Sequence, residues 1–188
     1  MTVEQSKPIE TFNINNLIFF PAREISVLDP VKQMFFAGQV SPLLQTLGGE
    51  HMFHPSPEEI QEFMKRGQTV LMTDLTTENL VGFAKTDIWT NTSFDPVGYE
   101  VGSLIVVPQF QNKGIGKFLV TEMAKTTFEM ACGLPVFSVV TNDNTSSLAL
   151  YRHLRWQEIS HLQSLNILKG VDILDGWIPP STIFLYDN

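Results

Sequence analysis

The chain has 188 residues, 43% of them hydrophobic and 11% aromatic, enough to fill the core of one ordinary domain rather than a disordered segment. Its formal net charge of −8 repels phosphate backbones and argues against a nucleic-acid substrate, while suiting a cationic or amine-bearing one. The longest apolar runs, such as Leu17-Ile18-Phe19-Phe20, fall far short of the ~20 residues of a membrane span, and a lone Cys132 permits no internal disulfide. The expectation is a cytoplasmic protein without a signal peptide, Cys132 being structural rather than nucleophilic.

Residues 1–12 read as a loose end and 13–188 as a single domain. Leu17–Phe20 is a short strand closed by Pro21. Residues 26–36 and 40–47 have mixed helical spacing, with Pro30 and Pro42 near their starts. Ser56-Pro57-Glu58-Glu59 is a helix start: Ser as cap, Pro in the first turn, Glu three residues after the cap. Ile60, Phe63 and Met64 supply its apolar face and Gly67 ends it.

Thr69–Thr73 and Leu80–Trp89 read as strands joined by the polar turn Asp74–Asn79, a hairpin. After a turn at Asn91–Pro96, Gly98–Val107 is apolar enough to be a central strand. Ile115, Phe118, Leu119 and Met123 predict a helix over about 114–131. A strand at Val136–Val140, a cap-rich turn at Asn142–Ser146, a helix over 146–154, and strands at Trp156–Leu162 and Thr182–Tyr186 complete the order. Residues 163–180 have no clear pattern. The order mixes hairpins with a strand–helix–strand crossover, which predicts an α/β (α+β) domain on one mixed sheet of about six to seven strands flanked by helices.

The chemistry concentrates around Gln111-Asn112-Lys113-Gly114-Ile115-Gly116. Two glycines between a strand and a helix let backbone N–H groups approach a ligand, and the helix start behind them favours negative charge. The stretch lacks the Gly-Lys-Ser/Thr ending of a nucleotide loop and the downstream acid of a dinucleotide fold. A pyrophosphate of another kind is implied. The four histidines, His51, His54, His153 and His161, have no metal-ligand spacing, and no metal is expected.

Leu104-Ile105-Val106-Val107-Pro108 followed by Gln111-x-x-Gly114-x-Gly116 resembles the acetyl-CoA motif of the GNAT N-acetyltransferase superfamily. About thirty residues on, Asn144-Thr145-Ser146-Ser147-Leu148-Ala149-Leu150-Tyr151 resembles that family's second signature, with Trp156 as the aromatic that follows. The resemblance covers about 98–160 and implies a single-domain acyl-CoA N-acyltransferase fold with acetyl-CoA as co-substrate. It implies that backbone groups of Val106 and Val107 meet the pantetheine arm. Gln111, Asn112, Lys113, Gly114, Ile115, Gly116 and Lys117 would form the pyrophosphate site, and Asn144 and Tyr151 would also touch the cofactor. Lys113 and Lys117 are equally readable as solvated surface lysines, and Asn144 as a helix cap.

The resemblance makes Tyr151 the general acid, since a phenol stays protonated at neutral pH and can supply the departing thiolate with a proton. Glu100 is the candidate base, with Asp87 or a water chain as alternatives. The implied reaction is direct acetylation of a primary amine in a ternary complex. A small-molecule amine is the first expectation and a protein amine the second; a homodimer is compatible with the sequence. A non-catalytic acyl-CoA-binding domain of the same fold is the rival. Arg155 stands where the family often has Gly, so that turn is expected to differ. Within 163–180, Trp177 with Asp172 or Asp175 could face a cationic acceptor.

Overall fold

The computed structural model describes residues 16–48, 52, 54–159 and 181–187. The elements run β1 (Leu17–Phe20), α1 (Ala22–Ser26), α2 (Pro30–Leu47), α3 (Pro57–Lys65), β2 (Thr69–Asp74), β3 (Leu80–Thr90), β4 (Pro96–Val106), α4 (Ile115–Met130), β5 (Val136–Thr141), α5 (Thr145–His153), β6 (Gln157–Ile159) and β7 (Ser181–Leu185). Among the described residues the strands form one seven-stranded sheet in the order β1-β2-β3-β4-β5-β7-β6. Of these described strands, only β4 and β5 pair in parallel. The mixed sheet expected from the sequence is the one observed.

Alternation along the strands sends side chains to opposite faces. Val81, Ala84 and Val101 pack with Leu119, Val120, Met123 and Ala124 of α4. Leu71, Phe83 and Ile105 pack with Phe36, Val40 and Leu44 of α2 and with Ile60 and Met64 of α3. A buried contact between the Thr86 and Thr127 hydroxyls, 2.6 Å apart, ties α4 to β3.

Local signals act as the sequence predicts in most places. Ser56 and Glu59 form a reciprocal capping box at α3. The Asp74 carboxylate organises the β2–β3 turn by accepting from the amides of Thr76 and Thr77. The two helical stretches expected at 26–36 and 40–47 are instead divided differently. Ser26 ends α1, and Asp29 caps a new helix by accepting from the Val31 amide at 2.8 Å. That helix then runs through Pro42 to Leu47. Phe36, Ala37, Val40 and Leu44 are buried on both sides of Pro42, so core packing carries the helix across the lost N–H.

The feature that positions the site is the seam between β4 and β5. These strands are paired only at Tyr99↔Val136 and Glu100↔Phe137. Towards β3 the register of β4 slips, from Phe83↔Ile105 to Lys85↔Gly102, so β4 carries one extra residue there. Ser103 takes φ 49° in this bulge, which bends β4 away from β5.

Candidate active site

The parted strands open a cleft of about 250 Å³. Glu100, Gly102 and Leu104 from β4, Ser138 to Thr141 from β5, Tyr151 from α5 and Asp87 from β3 are among the residues that line it. Gly48 and Met52, beyond the end of α2, also reach it.

At one end of β4 lies the glycine loop. Gln111 to Gly114 are exposed, and Asn112 (φ 58°) and Gly114 (φ 81°) are left-handed. Gly114 is the residue before α4, no side chain caps that helix, and its first turn holds no acidic residue. First-turn amides have no partner within a helix, so those of Ile115, Gly116 and Lys117 can donate to a group outside it. The Ile115 side chain is in the core, so it contributes backbone alone. Lys117 Nζ lies 3.2 Å from His153 Nε2 on the surface, and Lys113 Nζ lies 5.7 Å from the centre of the Phe110 ring.

Val106 and Val107 differ in what they offer. The Val107 amide donates to the Val81 carbonyl on β3 at 2.9 Å. By strand alternation Val106 turns its backbone the other way, towards the seam. Its carbonyl accepts from Gln111 Nε2 at 2.9 Å, so Gln111 braces the strand end.

Glu100 stands at the last β4–β5 pair, half-buried at the cleft. Trp89 Nε1 donates to its Oε2 at 2.8 Å, and the Val139 amide also donates to it. Burial, then the nearby Asp87 charge, push its carboxyl up to about 7 against the pull of Trp89, Lys85 and Val139. Along β3, Lys85, Asp87 and Trp89 share a face and meet Gly102, Glu100 and Gly98 on β4. Gly98 and Gly102, on either side of Glu100, leave its carboxyl without a flanking side chain next along that face of β4. Lys85 is 1% exposed, pairs with Asp87 and lies 4.4 Å from the Phe63 ring centre.

Tyr151 packs against Trp156 and Phe184, with ring centres at 4.9 and 5.4 Å. Its hydroxyl donates to the Val101 carbonyl at 3.3 Å and is hydrogen-bonded by the Ser138 side chain. Burial pushes the phenol well above its ordinary value, so it remains protonated at neutral pH. Asn144 caps α5 by accepting from the Ser147 amide at 3.1 Å, and it also lines the cleft.

The cleft thus brings together Glu100, Asp87, Tyr151 and Asn144. Sequence reasoning missed Trp89, Lys85 and Ser138. The signal for the first two was present: charged and indole side chains alternate in an otherwise apolar strand, opposite Gly98-Tyr99-Glu100-Val101-Gly102. Arg155 departs from expectation in an instructive way. It adopts φ 60°, so the turn before Trp156 keeps a left-handed shape without a glycine. Cys132 is exposed in the turn after α4, and no metal-holding cluster occurs among the described residues. His51, His161, Asp172, Asp175 and Trp177 lie outside the described residues.

Comparison with known proteins bears on this geometry. Residues 40–155 match the model of the acetyltransferase (GNAT) family. The chain is 33% identical over 93 residues to N-alpha-acetyltransferase RimI of Mycobacterium tuberculosis, an alignment covering 50% of this chain and 55% of that protein. The matched region therefore spans about half the length of that relative. Among solved structures, Arabidopsis thaliana NAA60 in complex with acetyl-CoA is similar with a TM-score of 0.60 and 16% identity, over 92% of this chain and 99% of that one. Salmonella typhimurium yncA, a putative acetyltransferase with acetyl-CoA, gives 0.59 and 14% over 91% and 92%. At such identities the likeness is one of fold.

Proposed function

The chain belongs to the acetyltransferase (GNAT) family, and on that premise we propose that it moves an acetyl group from acetyl-CoA to a primary amine by direct attack in a ternary complex. The observation that carries this reading is the cleft at the β4–β5 seam, which holds a carboxyl poised near neutrality and a protonated phenol together.

The donor site fits the residues present. The uncapped start of α4 and the exposed loop from Gln111 to Gly114 suit a pyrophosphate, with Lys113 and Lys117 beside it. Val106 presents backbone to the seam as a strand edge would, so a pantetheine amide can pair with it. Its N–H is also a fixed donor for charge developing on the acyl oxygen. Asn144 reaches the same cleft from the start of α5.

Glu100 takes the proton from the incoming ammonium, so that the amine attacks as a neutral nucleophile. Tyr151 gives its proton to the departing thiolate, which is basic enough to need one. Holding both reactants in one cleft supplies further rate. Asp87, beside Glu100, favours a cationic acceptor electrostatically.

A second reading, acetylation of a protein α-amine, is favoured by the 33% identity to an N-alpha-acetyltransferase. A thiol-release screen separates the readings: small mono- and diamines in one arm, short peptides with a free α-amine in the other. Release with amines supports acetyl transfer. Tight acetyl-CoA binding with no release in either arm overturns it in favour of a binding domain.

No described helix is long and apolar enough to cross a membrane. We place the reaction in the cytoplasm, where acetyl-CoA is available and a lone cysteine remains reduced.

A further inference from the structure

Glu100 is held by two neutral donors, the Trp89 indole from β3 and the Val139 amide from β5. Its Oε2 accepts from Trp89 Nε1 at 2.8 Å. Its Oε1 lies beside Gly102, where even a Cβ would stand 3.4 Å away. Gly102 lines the cleft. The indole occupies Oε2, and Oε1 lies against Gly102 at the cleft, with the Val139 amide also donating to the carboxylate.

Trp89 is itself well fixed. Its ring meets Phe137 edge-on, with centres 5.1 Å apart and planes at 87°. Phe137 is fully buried, and it is the β5 partner of Glu100 at the last pair before the seam. Trp89 is not among the residues lining the cleft. It cannot be read as a group that touches the acceptor from there.

We propose that Trp89 is a positioning residue: its indole N–H anchors Glu100 Oε2 and so presents Oε1 to the acceptor amine. This rests on the reading of Glu100 as the base. No atom of Trp89 is transferred. The proton moves from the ammonium nitrogen to Oε1, and the nitrogen lone pair so freed forms the new bond to the acyl carbon while the carbon–sulfur bond breaks.

The same hydrogen bond has an electrostatic side. The groups facing the Glu100 carboxyl are Asp87 and Lys85 from β3, the Val139 amide from β5 and Tyr151 from α5. Against Asp87, the Trp89 N–H is one of the few contacts that favour the charged carboxylate. Removing it leaves the carboxyl protonated to higher pH.

Trp89→Phe keeps an aromatic ring against Phe137 and deletes the donor. Two measurements read the result. In the pH–rate profile of the full chain, the acid limb is expected to move up by about one unit, with the plateau at high pH retained within about threefold and KM for acetyl-CoA unchanged. An unmoved acid limb overturns the proposal, as does a loss of turnover equal at every pH, which marks a merely structural role. The second measurement needs no turnover: ¹³C-glutamate NMR titration of the free protein, with Glu100→Gln assigning the signal. An upward shift of the Glu100 midpoint in Trp89→Phe supports the contact, and an unchanged midpoint overturns it. If the unaltered protein acetylates nothing yet the midpoint moves, the contact stands and the catalytic reading falls.

Discussion

Asp87 on β3 and Glu100 on β4 are direct register partners, and both line the cleft. Two carboxylates opposed in this way repel each other, and the pair resolves the conflict asymmetrically. Asp87 has the buried Lys85 as its ion-pair partner, whereas Glu100 has only neutral donors, Trp89 and the Val139 amide, on its carboxylate. Glu100 is the member left ready to accept a proton, its carboxyl pushed up by burial and by the Asp87 charge.

This asymmetry predicts a pH dependence of stability. The folded-state value of Glu100, about 7, is above its ordinary 4.5, so between these pH values the folded protein binds more proton than the unfolded chain. Stability from this group is therefore present at pH 4.5 and declines as pH rises to 7, by about 3 kcal/mol in all. Glu100→Gln should remove that part of the slope. Urea unfolding of both proteins at pH 5 and pH 8 checks it, and identical pH dependence would count against a proton-accepting Glu100.

Tyr151→Phe is expected to lower kcat about 100-fold, the lower range for loss of a general acid, while KM for acetyl-CoA changes by less than about twofold. The ring keeps its packing on Trp156 and Phe184, so the fold should survive. Steady-state kinetics decide it, and an unchanged kcat removes Tyr151 from proton transfer.

At the loop, Gly114→Asp places a negative charge at the proposed pyrophosphate site and a side chain at φ 81°. Acetyl-CoA affinity should fall at least about tenfold. Gly114→Asn separates the two effects, because Asn tolerates left-handed backbone and is neutral. It should lose only about twofold. Calorimetry showing normal affinity for Gly114→Asp would move the pyrophosphate elsewhere.

Arg155 offers a gain in stability. A non-glycine residue at φ 60° is held against its own Cβ, and glycine would relieve this at some cost in unfolded-chain entropy. Arg155→Gly should stabilise the protein by about 0.5–1 kcal/mol without altering turnover. A fall in Tm would mean that the Arg155 side chain makes compensating contacts.

The parts of the site that were legible in the sequence are those encoded locally. Gly114 and the start of α4, the Asn144 cap and the Ser56–Glu59 box each depend on residues within one turn. Tyr151 and Glu100, which both line the cleft, are candidates through resemblance and strand position. What escaped depends on long-range register. The alternation of Lys85, Asp87 and Trp89 marks one face of β3 but does not reveal that Trp89 reaches Glu100, because that contact requires β3 and β4 to align with Asp87 opposite Glu100. A one-residue slip would send Trp89 to the other face. The continuous α2 escaped for a related reason: Pro42 is a local stop signal, and the core residues that override it on either side act only once the sheet is beneath them.

The seam also gives the sheet an unusual edge count. A continuous run of seven strands has two edges, but among the described residues this one has four past Glu100 and Phe137, two of them facing each other in the interior. Interior edges of that kind are a template for any extended molecule carrying amides. They are also a mechanical weakness, since β1 to β4 and β5 to β7 are joined within the sheet by two residue pairs at one end. A ligand that bridges them works as a staple, and its binding energy becomes folding energy. The protein would then be at its most cohesive only while loaded, and resistance to proteolysis would rise and fall with its supply of donor.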